Sequence, residues 1–319
     1  MRFERTGGPE VLAIEDVPDP SPAPGEVLVR VTTAGVNFID TYHRRGVYAL
    51  ELPSGLGVEG AGEVVAVGDG VTSPRVGETV AWIDTLGSYA ELVAVPADAL
   101  VVVPSDLDPT LATAVMLQGI TAHYLARSTY PLDRDDTCLV YAAAGGVGRL
   151  LVQLAKRRGA RVLACTSTEE KAAEVRRLGA DEVIRYRDVD VPETVRELTG
   201  GRGVQVVYDS VGADTFEDSL DCLARRGTMV LFGAASGPVP PVDLQTLNQH
   251  GSLYVTRPSS GAYTATTDEL TWRATTLFEL VRSGDLDVRI HDRYPLDDAA
   301  RAHTDLASGT TSGKLLLVP

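Results

Sequence analysis

Residues 137–167 read TCLVYAAAGGVGRLLVQLAKRRGARVLACTS. The apolar run 138–143 meets the glycine cluster Gly145-Gly146-Val147-Gly148. A segment of helical period follows, with Leu150, Leu151, Leu154 and Ala155 on one face, until Gly159 stops it and a second apolar run begins at Val162. Strand, tight turn, helix and strand in that order form a βαβ unit that cradles phosphate. Gly145 and Gly146 are expected to let the backbone turn sharply, and Gly148 to let the helix pack closely on the strand. Backbone N–H groups and the positive helix end then face a dinucleotide pyrophosphate, with Val147 in the same turn.

Outward from this unit the alternation continues. Strands are predicted at 182–186, 203–209, 228–233 and 253–256, and helices at 169–178, 192–198 and 215–226. This pattern predicts an α/β fold with a six-stranded, doubly wound parallel (Rossmann) sheet. Ligands gather at the strand C-termini of such sheets, which nominates Ser210, Gly233 and Thr256.

The first hundred residues instead show short strands at 27–31, 63–67, 79–82 and 90–95 between glycine turns, as in a β-rich, partly open barrel-like domain. Residues 109–127 are helical in pattern, with Gly119 expected to break them into two helices. An amphipathic helix is predicted over 268–281, and the run 314–318 returns as a strand to the first domain. The expected boundaries are 1–119 with 260–319 for the β-rich domain and 120–259 for the dinucleotide domain.

The 319 residues carry a net charge of −15, which disfavours nucleic acid and anionic membranes as partners. No apolar run has membrane-spanning length. The start lacks a secretory pattern, and the expectation is a cytoplasmic enzyme. Three cysteines and five histidines are scattered without metal-ligand spacing, so no metal site is expected.

The second strand of the βαβ unit ends in Cys165-Thr166-Ser167, where NAD-preferring folds usually place a carboxylate. Ser167, Lys171 and Tyr186 form a plausible receptor for a 2′-phosphate, with Glu169 and Glu170 as counter-evidence, and NADPH preference is predicted. Residues 35–48, GVNFIDTYHRRGVY, are dense in polar and aromatic side chains and read equally as a site or a solvated surface segment.

GGPEVL, GVNFIDTYHRRGVY, LPSGLGVEGAG, AAAGGVG, VVYDSVG, SLDCLARRG and LYVTRP together make the chain closely resemble the zinc-independent quinone oxidoreductases of the medium-chain dehydrogenase/reductase superfamily, which include zeta-crystallin. The resemblance spans essentially the whole chain and implies a GroES-like catalytic domain beside the Rossmann domain. Zinc relatives place Cys at Asn37 and His at Val58, neither of which can be replaced as a donor by asparagine or valine. By resemblance, Phe38, Asp40 and Tyr42 lie along the nicotinamide half of the cofactor with Thr121 nearby. Ser210, Phe232, Gly233, Ser236, Thr256 and Arg257 line the rest of its site.

The resemblance implies hydride transfer from NADPH to a quinone. Tyr48 is the leading donor candidate and Asn37 a candidate hydrogen-bond partner of the acceptor oxygen. An alkenal or enone reductase is the alternative, and a non-catalytic binding role like that of some zeta-crystallin relatives is a third reading. A homodimer meeting through the edge strand at 253–256 is also implied. Two departures stand out. Gly309 replaces an arginine that close bacterial relatives carry near the cofactor, with Lys314 nearby as a substitute cation. Gln118 replaces a lysine of near relatives.

Overall fold

The computed structural model describes residues 1–319. By packing, the chain divides into two compact units, Met1–Ile120 with Tyr263–Pro319, and Thr121–Ala262.

The first unit opens with β1 (Arg2–Phe3), β2 (Glu26–Val36), α1 (Phe38–Arg45), β3 (Ser54–Gly55), β4 (Glu59–Val67), β5 (Thr79–Ile83), β6 (Leu92–Pro96), β7 (Leu100–Val102) and α2 (Pro109–Tyr124). In β2, Val27, Val29 and Val31 are buried while Arg30 and Thr32 face outward, the period-2 pattern of a strand with one covered face. Its C-terminal end is buried throughout, from Thr33 to Val36, and leads directly to α1.

Gly119 does not break α2. A β-carbon there would lie 2.8 Å from Val115 Cγ2 and 3.1 Å from Leu277 Cδ1, so the glycine is a packing notch for a neighbouring side chain. Tertiary contact outweighs the modest helix penalty of glycine, about 1 kcal/mol.

The second unit contains β8 (Thr137–Val140), α3 (Gly146–Arg157), β9 (Arg161–Thr166), α4 (Glu169–Arg177), β10 (Glu182–Arg185), α5 (Val191–Leu198), β11 (Val204–Asp209), α6 (Phe216–Cys222), β12 (Leu223–Leu231), α7 (Leu244–Gln249) and β13 (Tyr254–Thr256). Its six strands are all parallel, in the order β10-β9-β8-β11-β12-β13. The order reverses between β8 and β11, which is the doubly wound topology expected from the alternation. The core is made by Leu139, Leu163, Val207, Met229 and Leu220, among others. The helix predicted over 215–226 is shorter: it ends at Cys222, and β12 begins at once with Leu223. Arg226 takes a left-handed φ of 61° inside that strand, where the register with β11 shifts.

The chain then continues through α8 (Ser260–Tyr263), α9 (Thr267–Arg282), β14 (Ile290–Pro295), α10 (Ala299–Ala307) and β15 (Lys314–Val318). β15 returns to the first unit, antiparallel to β2 and parallel to β14. The resulting seven-stranded sheet runs β14-β15-β2-β4-β5-β7, with β6 also paired to β2. No helix is long and apolar enough to cross a membrane. The three cysteines are free thiols and all are buried.

Candidate active site

In the dinucleotide unit, the turn after β8 divides its work differently from the sequence expectation. The left-handed residue is Ala142, with φ 48°, whereas Gly145 has φ −71° and is the N-cap of α3. Ala142 accepts a hydrogen bond from the Gly145 N–H at 2.8 Å, closing the turn. Gly148 is the glycine that close approach demands. A β-carbon there would lie 2.8 Å from Ala143 Cα and closer still to the Ala142 carbonyl oxygen. The N–H groups of Gly146, Val147 and Gly148 precede the first acceptor of the helix, so the positive end of α3 is presented at the turn. This geometry suits a pyrophosphate.

At the end of β9 lie the residues nominated for a 2′-phosphate. Thr166 Oγ1 is buried without a hydrogen-bond partner, and Ser167 follows it, half-buried. Thr168 caps α4 by accepting from the Lys171 N–H at 3.3 Å. Tyr186 is brought alongside by donating its N–H to Thr166 O at 3.2 Å. Arg187, which the sequence reading missed, has its guanidinium carbon 5.9 Å from the Tyr186 ring centroid. Burial first, and the Arg187 charge second, push the Lys171 ammonium pKa down. The half-buried Lys171 thus feels the repulsion of the exposed Arg187 and the opposing attraction of Glu174, and a bound anion would favour its charged form further. Two further carboxylates next to Lys171 in sequence have partners of their own. Glu169 pairs with Arg176 at 2.7 Å and Arg185 at 3.7 Å. Hydrogen bonds from its own backbone and from Thr168 hold Glu170 below its usual carboxylate range.

At the switch of strand order, Asp209 is fully buried and ties down the loop that carries Ser210. Its carboxylate accepts from the N–H groups of Val211 (2.7 Å) and Gly212 (3.1 Å) and from the hydroxyls of Thr215 (2.7 Å) and Ser219 (2.8 Å). Gly233 lies so near Ser210 that a β-carbon would come within 2.7 Å of its Cα. Phe232 donates its N–H to Asp209 O at 2.8 Å. Ser236 is bound within the loop, donating to Val211 O (2.9 Å) and accepting from the Asp214 N–H (3.1 Å). Arg257 reaches Leu231 O at 3.1 Å, and Thr256 pairs with Val230 along β12. Thr121 is half-buried on α2.

In the other unit, α1 sits on a buried polar floor. Asn37 donates through Nδ2 to Glu59 Oε2 (2.7 Å) and Gly35 O (3.4 Å), and accepts through Oδ1 from Lys314 Nζ (2.8 Å) and Gln118 Nε2 (3.3 Å). Its amide is therefore saturated by the protein. Asp40 is likewise buried completely. Its Oδ2 accepts from the Asn37 N–H (2.8 Å) and the Tyr89 hydroxyl (3.1 Å). Tyr89 OH also meets His303 Nε2 at 3.2 Å, and Arg44 meets His303 Nδ1 at 3.1 Å. Burial raises the Asp40 pKa to about 7, while burial and the Arg44 charge lower that of His303 to about 3. Lys314 is 1% exposed and in contact with Glu59, so it is not a substitute for the arginine missing at Gly309.

Above this floor lie the aromatic side chains. Phe38 and Tyr48 are exposed and flank the buried Tyr42, whose ring stands edge-on to Tyr48 at 5.5 Å and tilted to Phe38 at 6.4 Å. A flat, electron-poor ring can stack on such a wall.

Residues 23–105 match the family described as "Alcohol dehydrogenase GroES-like domain", and residues 146–272 the one described as "Zinc-binding dehydrogenase". A quinone oxidoreductase of Pseudomonas aeruginosa is 50% identical, with 100% of this chain and 99% of that protein covered. The chain belongs to the zinc-independent quinone oxidoreductases of the medium-chain dehydrogenase/reductase superfamily. An Escherichia coli quinone oxidoreductase solved in complex with NADPH has a TM-score of 0.97 at 47% identity, covering 100% of this chain and 99% of that one. A 2-haloacrylate reductase of Burkholderia sp. is 42% identical over 99% of this chain and 98% of its own length. The donor set agrees with this zinc-independent branch: Asn37 and Val58 offer no thiolate or imidazole, and Lys314 neutralises Glu59.

Proposed function

We propose that the protein is an NADPH-dependent oxidoreductase that reduces quinones without a metal. The observation that carries the cofactor half is the half-buried Lys171 with the exposed Arg187 acting on it, near the strand end where an NAD-preferring sheet has a carboxylate. The acceptor half is supported by the full-length likeness to quinone oxidoreductases and by the aromatic wall of Phe38, Tyr42 and Tyr48.

Bound NADPH supplies a hydride from its nicotinamide ring. Gly146, Val147 and Gly148 would hold its pyrophosphate through backbone N–H groups, and Ser167, Lys171, Tyr186 and Arg187 its 2′-phosphate. Ser210, Phe232, Gly233, Ser236, Thr256, Arg257 and Thr121 would complete the cofactor's surroundings, several of them through backbone held by Asp209. Phe38 and Tyr42 would orient the ring system, and Tyr48 would donate a hydrogen bond to the oxygen that gains charge. Asn37 and Asp40 act from beneath, by fixing the first turn of α1.

The discriminating experiment measures kcat/KM of the purified protein for 1,4-benzoquinone and for an α,β-unsaturated ketone, each with NADPH and NADH. Quinone turnover with NADPH is expected to dominate. The 2-haloacrylate reductase relative favours an enone reductase as the second reading, and a higher kcat/KM for the ketone would establish it.

A homodimer through β13 completes the proposal. Tyr254 and Val255 are 64% and 40% exposed on this edge strand, an unpaired ladder of the kind that another chain can extend. Val255→Lys is expected to yield monomers in light scattering. The free, buried thiols are consistent with a cytoplasmic location.

A further inference from the structure

Glu59, Lys314, Asn37 and Gln118 are 0%, 1%, 5% and 8% exposed and come from β4, β15, the residue before α1, and α2. Gly35 makes room for them. A β-carbon there would lie 2.8 Å from Lys314 Nζ and closer to the Glu59 carboxylate. The second carboxylate oxygen of Glu59 accepts the Leu117 N–H at 2.6 Å, so the cluster also grips α2.

The charges do something that neutral groups cannot. A carboxylate only accepts hydrogen bonds and an ammonium only donates them. Glu59 Oε2 therefore requires the nitrogen of the Asn37 amide (2.7 Å), and Lys314 Nζ requires its oxygen (2.8 Å). With Asn37 Oδ1 fixed as an acceptor, Gln118 must turn its own nitrogen toward it (3.3 Å). Gln118 Oε1 is left facing away, buried and without a partner. One ion pair thus sets the sense of two amides in series. The first of these amides belongs to the residue from which α1 starts.

We infer that Lys314 is a positioning residue for the reaction: its ammonium, locked against Glu59, fixes the Asn37 amide and with it the start of α1, the helix that carries Phe38 and Tyr42. This rests on the reading of α1 as the nicotinamide and acceptor side. Its action is indirect, since its ammonium is closed off from solvent by Asn37 and Glu59. Displacements well under 1 Å at the start of α1 would be felt in the rate, because alignment is the main lever a protein has over a hydride transfer.

Gln118 Nε2 and Lys314 Nζ converge on the same oxygen from different elements, so a cation supplied from position 118 can take over the role. Three variants test this, read by Tm, by NADPH Kd from fluorescence titration, and by kcat and KM for benzoquinone. Lys314→Met strands a buried carboxylate and is expected to lower Tm by roughly 10 °C. Glu59→Gln with Lys314→Met removes both charges and is expected to recover most of that Tm. In this double variant the amide at 59 can face either way, so kcat is expected to stay roughly tenfold to a hundredfold down at an NADPH Kd within about twofold of the parent. Gln118→Lys with Lys314→Met is expected to return kcat to within about threefold.

A folded Glu59→Gln, Lys314→Met variant with the parental kcat would overturn the inference and leave the pair a purely structural one. A folded Gln118→Lys, Lys314→Met variant that stays as slow as the charge-free double variant would overturn it too. Absence of quinone turnover in the unmodified protein would instead defeat the functional proposal, whatever the variants do.

Discussion

The floor beneath α1 and the corner beside β10 handle charge in opposite ways. Under α1, Glu59 meets Lys314, and the Asn37 amide has every donor and acceptor used. Beside β10, the half-buried Lys171 feels the exposed Arg187 as well as Glu174, and the adjacent carboxylate Glu169 pairs with Arg176 and Arg185. The balanced region meets its charges within the protein and can hold geometry. The cationic corner, with Glu174 as a counter-charge, is the region that the functional proposal gives to the cofactor's 2′-phosphate. Rigidity and affinity are thereby assigned to different residues, so each can be broken without the other.

The hardest blow to the affinity side is Gly148→Val. Its side chain would run into the Ala142 carbonyl and Ala143, whose positions are backbone and cannot swing aside. NADPH and NADH are both expected to lose roughly a thousandfold in Kd by calorimetry, the equivalent of about 4 kcal/mol. An unaltered Kd would mean that the turn does not approach the pyrophosphate.

Removing the two cations with Lys171→Ala and Arg187→Ala is expected to weaken NADPH roughly a hundredfold and NADH by less than about threefold. The parent's NADPH affinity should fall with added salt, while the double variant's should hardly respond. Equal losses for the two cofactors would remove the argument for phosphate recognition.

Tyr48→Phe tests the edge of the balanced side. An expected kcat loss of about tenfold at constant NADPH Kd corresponds to one hydrogen bond made in the transition state. A variant with parental kcat would make Tyr48 part of the aromatic wall alone.

The smallest effect concerns pH. Asp40 has a folded pKa raised from 3.8 to about 7, so its contribution to stability is present below pH 3.8 and fades as pH rises through about 7. His303 has a folded pKa lowered from 6.5 to about 3, so its contribution is present above pH 6.5 and fades as pH falls toward 3. Tyr89 bridges them, with Lys314 and Glu59 near the carboxyl and Arg44 against the imidazole. Between pH 4 and 6.5 the two slopes oppose, and the parent's Tm should change little on their account. Asp40→Asn should expose a Tm that drops on acidification, and His303→Gln one that drops as pH rises from about 4 to 7. Each slope is bounded at roughly 1.4 kcal/mol per pH unit. Parallel pH profiles for both variants would contradict the opposed pair.

What could be read from the chain follows the range of the interactions. The parallel sheet was legible because strand and helix periods alternate locally from Thr137 to Thr256. The aromatic segment and the glycine turn were legible as short motifs, although the strained residue proved to be Ala142. Arg187 was missed, yet Arg185-Tyr186-Arg187 carries a usable signal. The signal is the two arginines flanking Tyr186: β10 ends at Arg185, which reaches Glu169, and Arg187 follows in the turn, where its charge bears on Lys171. The Glu59–Lys314 pair left no local trace. Its partners lie 255 residues apart, and Lys314 reads merely as the start of an apolar strand. Gly119 misled for the same reason, since Leu277, which explains it, belongs to α9.

The burial of every thiol has a consequence for an enzyme of this chemistry. Quinones and enones alkylate thiolates, but burial raises the Cys138 pKa to about 12 and keeps Cys165 and Cys222 well above the ordinary range. The folded protein therefore carries no nucleophilic sulfur that its own electrophilic substrates could inactivate.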